Sequence, residues 1–335
     1  MSRLPDWPAA YPLTGACATL KACNDDFRVD ELPLAMPGGE GEHVWLHIEK
    51  NGANTAWIAK RLAEFAGVKE MDVGFAGMKD RNAITRQWFS VYLPKGQNPD
   101  FSQLNDAEMT VQTQARHNKK LRRGDLLGNR FVLRLRDVQG DVAAVERNLQ
   151  LVRDQGVPNY FGEQRFGHDG NNIESGRAML AGEIRVRNPG KKSIYLSAVR
   201  SLVFNEVLAE RIRRGLWGQS IAGDLSDEQG QVTAPLWGRG RLASADDALA
   251  LESEVAGRYA DLCDGMEHAG LKQERRAVAS LPHGLSWEWQ QGEAGQDLVL
   301  TFSLPAGYYA TSVIREIMQT REPERKSADE ADAVE

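Results

Sequence analysis

The feature that most constrains the fold of this chain is a change of hydrophobic period near Gly140. Before it, apolar side chains recur at every second position. Residues 26–32 (DFRVDEL) and 43–50 (HVWLHIEK) alternate in this way, as half-buried strands do. Residues 129–136 place Phe131, Leu133 and Leu135 on one face and Arg130, Arg134 and Arg136 on the other. Val73–Phe75 and ITRQWFSVYL (84–93) also read as strands. One helix interrupts them: Asn54 or Thr55 can cap it, Ile58, Leu62 and Phe65 share a face, and Gly67 suits a left-handed stop.

After Gly140 the period becomes helical. Asp141 caps a helix whose Val142, Val145, Leu149 and Val152 form one stripe, ending at Gly156. Further helical stretches cover roughly 172–182, 196–214 and 246–269. Strand character returns at 296–304 (QDLVLTFSL), followed by a short helix over about 310–319. A strand-rich start, a helical middle and a mixed end predict an α+β chain with one domain inserted into another. The charged residues at the end (EPERKSADEADAVE) predict a disordered tail.

At about 150 residues per domain, 335 residues suit two domains, and 41% hydrophobic with 26% charged residues suits a globular protein. The apolar runs fall short of the roughly 18 residues that cross a membrane, so no membrane partner is expected. The start, MSRLPDWPAAYP, has no apolar secretory segment. Three cysteines without metal-type spacing fit a reducing compartment, so a cytoplasmic protein is expected.

The net charge of −6 argues against a nucleic-acid partner, but its distribution does not. Arg116 to Arg136 holds eight basic residues and one acid, a local charge of +7. Such a run serves either a phosphate backbone or a charge-guarded edge strand. The loop GFAGMKDRNAIT (74–85) is the other candidate. Gly74 and Gly77 allow tight geometry and close approach of a ligand, and Asp80 stands between Lys79 and Arg81. Nearby cations keep a carboxylate ionised and able to act as nucleophile or base. The same residues also suit a surface turn in which Asp80 bonds its own backbone.

FAGMKDRNAITRQ resembles the signature of the TruD-type tRNA pseudouridine synthases. GEGEHVWLHIEKNGANT (39–55), VPNYFGEQRFG (157–167), LSAVRSLVFNEVLAERI (196–212) and LPAGYYATSVIREI (304–317) resemble further family segments, in family order, across most of residues 20–320. The resemblance implies an isomerase that turns uridine into pseudouridine in tRNA, principally uridine 13, without cofactor or metal. It implies a catalytic domain on a mixed, mainly antiparallel sheet with an inserted, mostly helical α/β domain. The boundaries would be 1–154 and 281–320 for the catalytic domain, 155–280 for the insertion and 321–335 for the tail.

By the same resemblance Asp80 is the catalytic nucleophile and Lys21, in LKACNDDF, the basic residue against it. Phe27, Asn129, Phe131 and Tyr309 would contact the substrate; at Tyr309 the family commonly has Phe. The basic run would line the RNA groove, with Lys191, Lys192, Arg200, Arg211, Arg213 and Arg214 as an opposite wall. NYFGEQRFG reads as a packing hinge or an aromatic loop on the base. The expected partner is tRNA, with no obligatory protein partner.

Other readings fit less well. A non-catalytic RNA-binding module could use GFAG as a KH-type loop, but that loop joins two helices and Val73–Phe75 reads as a strand. A glycosidase pairing Asp80 with Glu31 or Glu163 leaves the basic run without a purpose. A P-loop at Gly190-Lys191-Lys192-Ser193 lacks its upstream glycine, where Arg185 stands.

Overall fold

The computed structural model describes residues 4–323 apart from Lys95 and Gln97. The fold is α+β and divides into two compact units. One comprises residues 15–142, 283–307 and 318–323; the other comprises 4–14, 143–282 and 308–317. From residue 324 on, the expected tail lies outside the described residues, while Arg321 belongs to a strand, Gln319–Arg321.

The first unit is a ten-stranded mixed sheet. Its first seven strands are β1 (Cys17–Leu20), β2 (Phe27–Pro33), β3 (His43–Asn51), β4 (Val73–Phe75), β5 (Ile84–Tyr92), β6 (Met109–His117) and β7 (Leu126–Gln139). Strands His283–Gln291 and Gln296–Pro305 follow, and the order across the sheet is 283–291, 296–305, β7, β2, β5, β3, β6. β4 adds to β5, and β1 pairs with both β7 and Gln319–Arg321. Among the described residues of this sheet, only β2 with β5 and β1 with Gln319–Arg321 run parallel. Helix α1 (Thr55–Ala66) forms as its sequence predicts: the Asn54 side chain accepts from Ala56 N–H, and Gly67 ends it at φ 66°. Its Ile58 and Leu62 are buried with Val44, Leu46, Ile48, Phe89 and Val91 of β3 and β5.

The sequence reading missed β1, β6, the strand 283–291 and the strand 319–321. β6 (MTVQTQARH) is an edge strand that buries only Met109 fully, so it carries no strong alternation. β1 and 319–321 are too short to show a period.

The second unit holds helices α2 (Val142–Gln155), α3 (Asn171–Leu180), α4 (Pro189–Arg213), α5 (Asp246–Gly257), α6 (Ala260–His268) and α7 (Ala310–Ile317). α4 begins earlier than its apolar pattern: Asn188 caps it, its side chain accepting from Lys191 N–H, and Pro189 opens its first turn. The Gly190–Ser193 run is therefore helix, not a phosphate loop. The stretch 246–269 is two helices, broken at Arg258 and Tyr259. α4 is buried on nearly all sides from Ala198 to Arg211, around Phe204 and Leu208. The division between units falls at 142/143, not at 154/155. Asn148 of α2 donates to Pro12 O at 2.9 Å and to Glu316 O at 2.8 Å, tying α2, the first segment and α7 together. Such long-range ties leave no local signal. Among the described residues no helix is long and apolar enough to cross a membrane.

Candidate active site

β1 and β2 lie one after the other along β7: Leu20 faces Leu135, and Phe27 faces Leu133. Between them the chain must leave the sheet and return within six residues. Lys21 makes the departure in the left-handed region, at φ 56°, which strains a residue with a Cβ by roughly 1–2 kcal/mol. A 3₁₀ turn over Asn24–Asp26 makes the return. Arg136 of β7 grips this turn, with its Nε 2.8 Å from both carboxylate oxygens of buried Asp26. Burial works against the Asp26 charge, but the Arg136 and Cys23 hydrogen bonds outweigh it and hold the carboxyl below the usual range. The pinned turn leaves Lys21 buried and aimed at Asp80.

The Lys21 ammonium donates to Asp80 Oδ2 at 2.5 Å. The lysine side chain is 5% exposed and the aspartate 23%, so the carboxylate alone opens outward. Asp80 Oδ1 accepts from Asn82 N–H at 3.1 Å. Each oxygen therefore keeps a lone pair beyond these bonds. Glu322, just past the strand 319–321, stands 3.6 Å from the Lys21 ammonium on a half-exposed side chain.

Lys79 and Arg81 do not flank the carboxylate as the sequence suggested. Lys79 forms a buried ion pair with Glu31 at 2.7 Å, and Arg81 Nε donates to Gly52 O at 3.2 Å. The cation beside Asp80 comes from 59 residues upstream. Gly74 and Gly77 also serve differently from the expectation. A Cβ at Gly74 would sit 2.2 Å from Leu121 O, so this glycine admits the chain's own backbone, while Gly77 has no such contact.

The loop bearing Asp80 is held from beneath by polar groups on the α1-covered face of the sheet. Thr55 Oγ1 accepts from Lys79 N–H at 3.1 Å and donates to Gln87 Oε1 at 3.0 Å. Gln87 Nε2 donates to Gly77 O at 3.1 Å. Lys50, fully buried, donates to Ala53 O at 2.9 Å and to Asp80's own carbonyl oxygen at 3.1 Å. Burial pushes the Lys50 ammonium down to about 8. Lys50 and Gln87 were not singled out from the sequence, although Lys50, like Glu31, carried a signal. Lys50 follows Val44, Leu46 and Ile48 in strand phase, and Glu31 follows Phe27 and Val29, so each charge falls on an apolar face.

Phe27, Phe131 and Asn129 share a sheet face beside the pair. The Lys21 ammonium lies 4.6 Å from the Phe27 ring centre. Phe27 meets Phe131 edge-on at 6.4 Å, and Phe131 stacks on Phe302 at 5.4 Å. Both rings are buried, so they form a floor and not an open platform. Asn129, two residues from Phe131, has its Oδ1 buried with no hydrogen-bond partner among the described residues. Tyr309 belongs to the other unit, where its hydroxyl accepts from Arg165 Nη2 at 2.9 Å and its ring meets Phe161 edge-on.

Half of the basic run is occupied internally. Arg134 pairs with Asp297 and Arg136 with Asp26, Arg116 donates to Leu93 O at 2.7 Å, and Lys120 reaches Met71 O. In the expected opposite wall, Arg211 is sealed in an ion pair with Asp224 at 2.8 Å, each side chain 2% exposed. It is a core residue and cannot meet RNA. Among the described residues, no three His, Cys, Asp or Glu side chains gather as metal ligands would.

Comparison with known proteins gives the family of a chain with this mixed sheet and helical unit. The model of the family tRNA pseudouridine synthase D (TruD) matches residues 10–188. A tRNA pseudouridine synthase D of Aeromonas hydrophila is 44% identical, covering 93% of this chain and 94% of the relative. That of Cellvibrio japonicus is 45% identical, covering 93% of each. The crystal structure of a Methanosarcina mazei protein assigned as tRNA pseudouridine synthase D superposes with a TM-score of 0.72 at 21% identity, covering 94% of this chain and 98% of that one. The chain belongs to the tRNA pseudouridine synthase D family.

Proposed function

We propose that Asp80 carries the chemistry of this tRNA pseudouridine synthase, an isomerase, and that its target is uridine 13 of tRNA. The reaction breaks the N1–C1′ bond of uridine, turns the uracil and joins C5 to C1′. C5 gives up its proton and N1 gains one, so the atoms balance with no change of redox state. In this reading the protein works without cofactor. The Asp80 carboxylate either attacks C1′ or removes the C2′ proton, and both routes set the same oxygen against the same ribose.

The observation that carries this reading is the difference in access within the ion pair. The Lys21 side chain is 5% exposed and that of Asp80 23%, and each Asp80 oxygen keeps a lone pair beyond its bond to Lys21 or Asn82. The loop supports fix the direction of the carboxylate before substrate arrives. The uridine must leave its stack, which costs a few kcal/mol. Asn129, on the sheet face that also carries Phe131 and Phe27, offers its side-chain amide to the uracil or sugar edge of the extruded nucleoside. In this reading the sheet unit acts as the catalytic domain and the helical unit as the inserted one. The free cysteines Cys17, Cys23 and Cys263 suit work in the cytoplasm.

Mapping pseudouridine in an unmodified tRNA transcript incubated with the protein tests the target. A single new pseudouridine at position 13 is expected; modification confined to another position contradicts the assignment.

A further inference from the structure

The turn between β6 and β7 is built onto the strand and loop that lead to Asp80. The Leu121 carbonyl lies against Gly74 so closely that no side chain fits there. Leu121 N–H donates to Ser90 Oγ and Gly124 N–H to Ala76 O, each at 2.9 Å. The Arg123 guanidinium lies 5.5 Å from the Phe75 ring centre. Asp125 Oδ2 takes the Arg122 backbone N–H at 2.7 Å, shaping the turn through the main chain. Gly124, at φ 93°, completes it in a conformation that other residues rarely adopt.

Arg122 and Arg123 are exposed at the tip of this turn. Arg116, Lys120, Arg134 and Arg136 are spent on carbonyls and carboxylates, which leaves Lys119, Arg122, Arg123 and Arg130 exposed; of these, Arg122 and Arg123 stand at the tip of the turn bonded to the Asp80 loop. A guanidinium matches a phosphate in a two-pronged hydrogen bond, and one already laid on a ring loses less freedom in doing so.

We infer that Arg122 and Arg123 grip a phosphodiester of the RNA flanking the target nucleoside. This rests on the proposed function and adds to it a named place for the backbone. Ala76, bonded to the turn, is four residues from Asp80, so the phosphate held at the tip belongs to a nucleotide near the extruded one. The contact supplies affinity and placement, not a reading of bases.

The test uses the full chain and an unmodified tRNA transcript. Binding is measured over a range of salt for Arg122→Ala/Arg123→Ala and Arg122→Lys/Arg123→Lys, each in an Asp80→Ala background. The alanine pair is expected to weaken binding roughly tenfold and to lower the slope of log K against log salt by about one per phosphate lost. The lysine pair should restore the slope. A wild-type slope in the alanine pair overturns the inference, as does failure of the lysines to restore it. Because the readout is binding alone, it stands apart from whether Asp80 performs the chemistry.

Discussion

Lys50 and Asp80 are joined through the backbone: the fully buried lysine donates to the aspartate's own carbonyl oxygen at 3.1 Å. Its second bond, to Ala53 O, links the same ammonium to the segment that caps α1. The lysine thus fixes where the Asp80 loop begins its turn without touching the carboxylate. Lys50→Met keeps the volume and removes both bonds. The expected result is a fall in kcat of about ten- to a hundredfold with KM for tRNA nearly unchanged, since roughly 1.5–3 kcal/mol rests on hydrogen bonds from a charged donor. Steady-state kinetics of the variant checks this.

The same lysine gives a pH signature. Burial, reinforced by the Lys79 charge and opposed by Asp80, lowers its folded pKa from 10.5 to about 8. Between about pH 8 and 10.5 the unfolded chain binds a proton that the folded chain does not, so stability rises with pH in that window. Below about pH 8 both states are protonated and the burial cost is fully present. The gain is about 3 kcal/mol at most. Urea unfolding at pH 7 and at pH 9.5 should show this rise in the wild type, and Lys50→Met should lose it.

Arg136, a member of the basic run, serves the site through its ion pair with Asp26. Removing it leaves Asp26 buried without its main counter-ion and frees the turn that aims Lys21. Arg136→Ala should cost about 2–3 kcal/mol in urea unfolding and reduce turnover. The Asp26 carboxyl is held low in the folded state, so its contribution is present above the usual carboxylate range and lost as pH falls below it. The variant should therefore show a flatter loss of stability on acidification.

Asn129 offers the opposite case. Its buried Oδ1 has no partner among the described residues, so removing it sacrifices no bond from that atom. Asn129→Ala should leave the unfolding midpoint within about 0.5 kcal/mol of wild type. It should lower kcat/KM by about ten- to a hundredfold. A large loss of stability with unchanged kcat/KM would make Asn129 a packing residue.

Much of the sheet was legible because its strands alternate. β2, β3, β5 and β7 appear within a few residues of their predicted bounds, and α1 carries both its cap and its stop in Asn54 and Gly67. Strands whose pairing comes only from distant neighbours were not legible, as with Gln319–Arg321 beside β1. In the site, the motif pointed to Asp80 but suggested the wrong neighbours. Lys79 and Arg81 are adjacent in sequence, yet loop geometry turns them to Glu31 and Gly52, and the ammonium arrives from Lys21 across the sheet. Periodicity also hid what it should have flagged. A lysine or glutamate in an apolar phase marks a buried polar support, and Lys50 and Glu31 are both of this kind.

The central claim is that the Asp80 carboxylate acts on the ribose of a tRNA uridine. Tritium release from 5-tritiated uridine in tRNA measures it most directly, because C5 must lose its hydrogen as it bonds to C1′. Asp80→Ala, folded and still binding tRNA, is expected to release none above background while the wild type releases tritium. Release by Asp80→Ala at the wild-type rate would contradict the account.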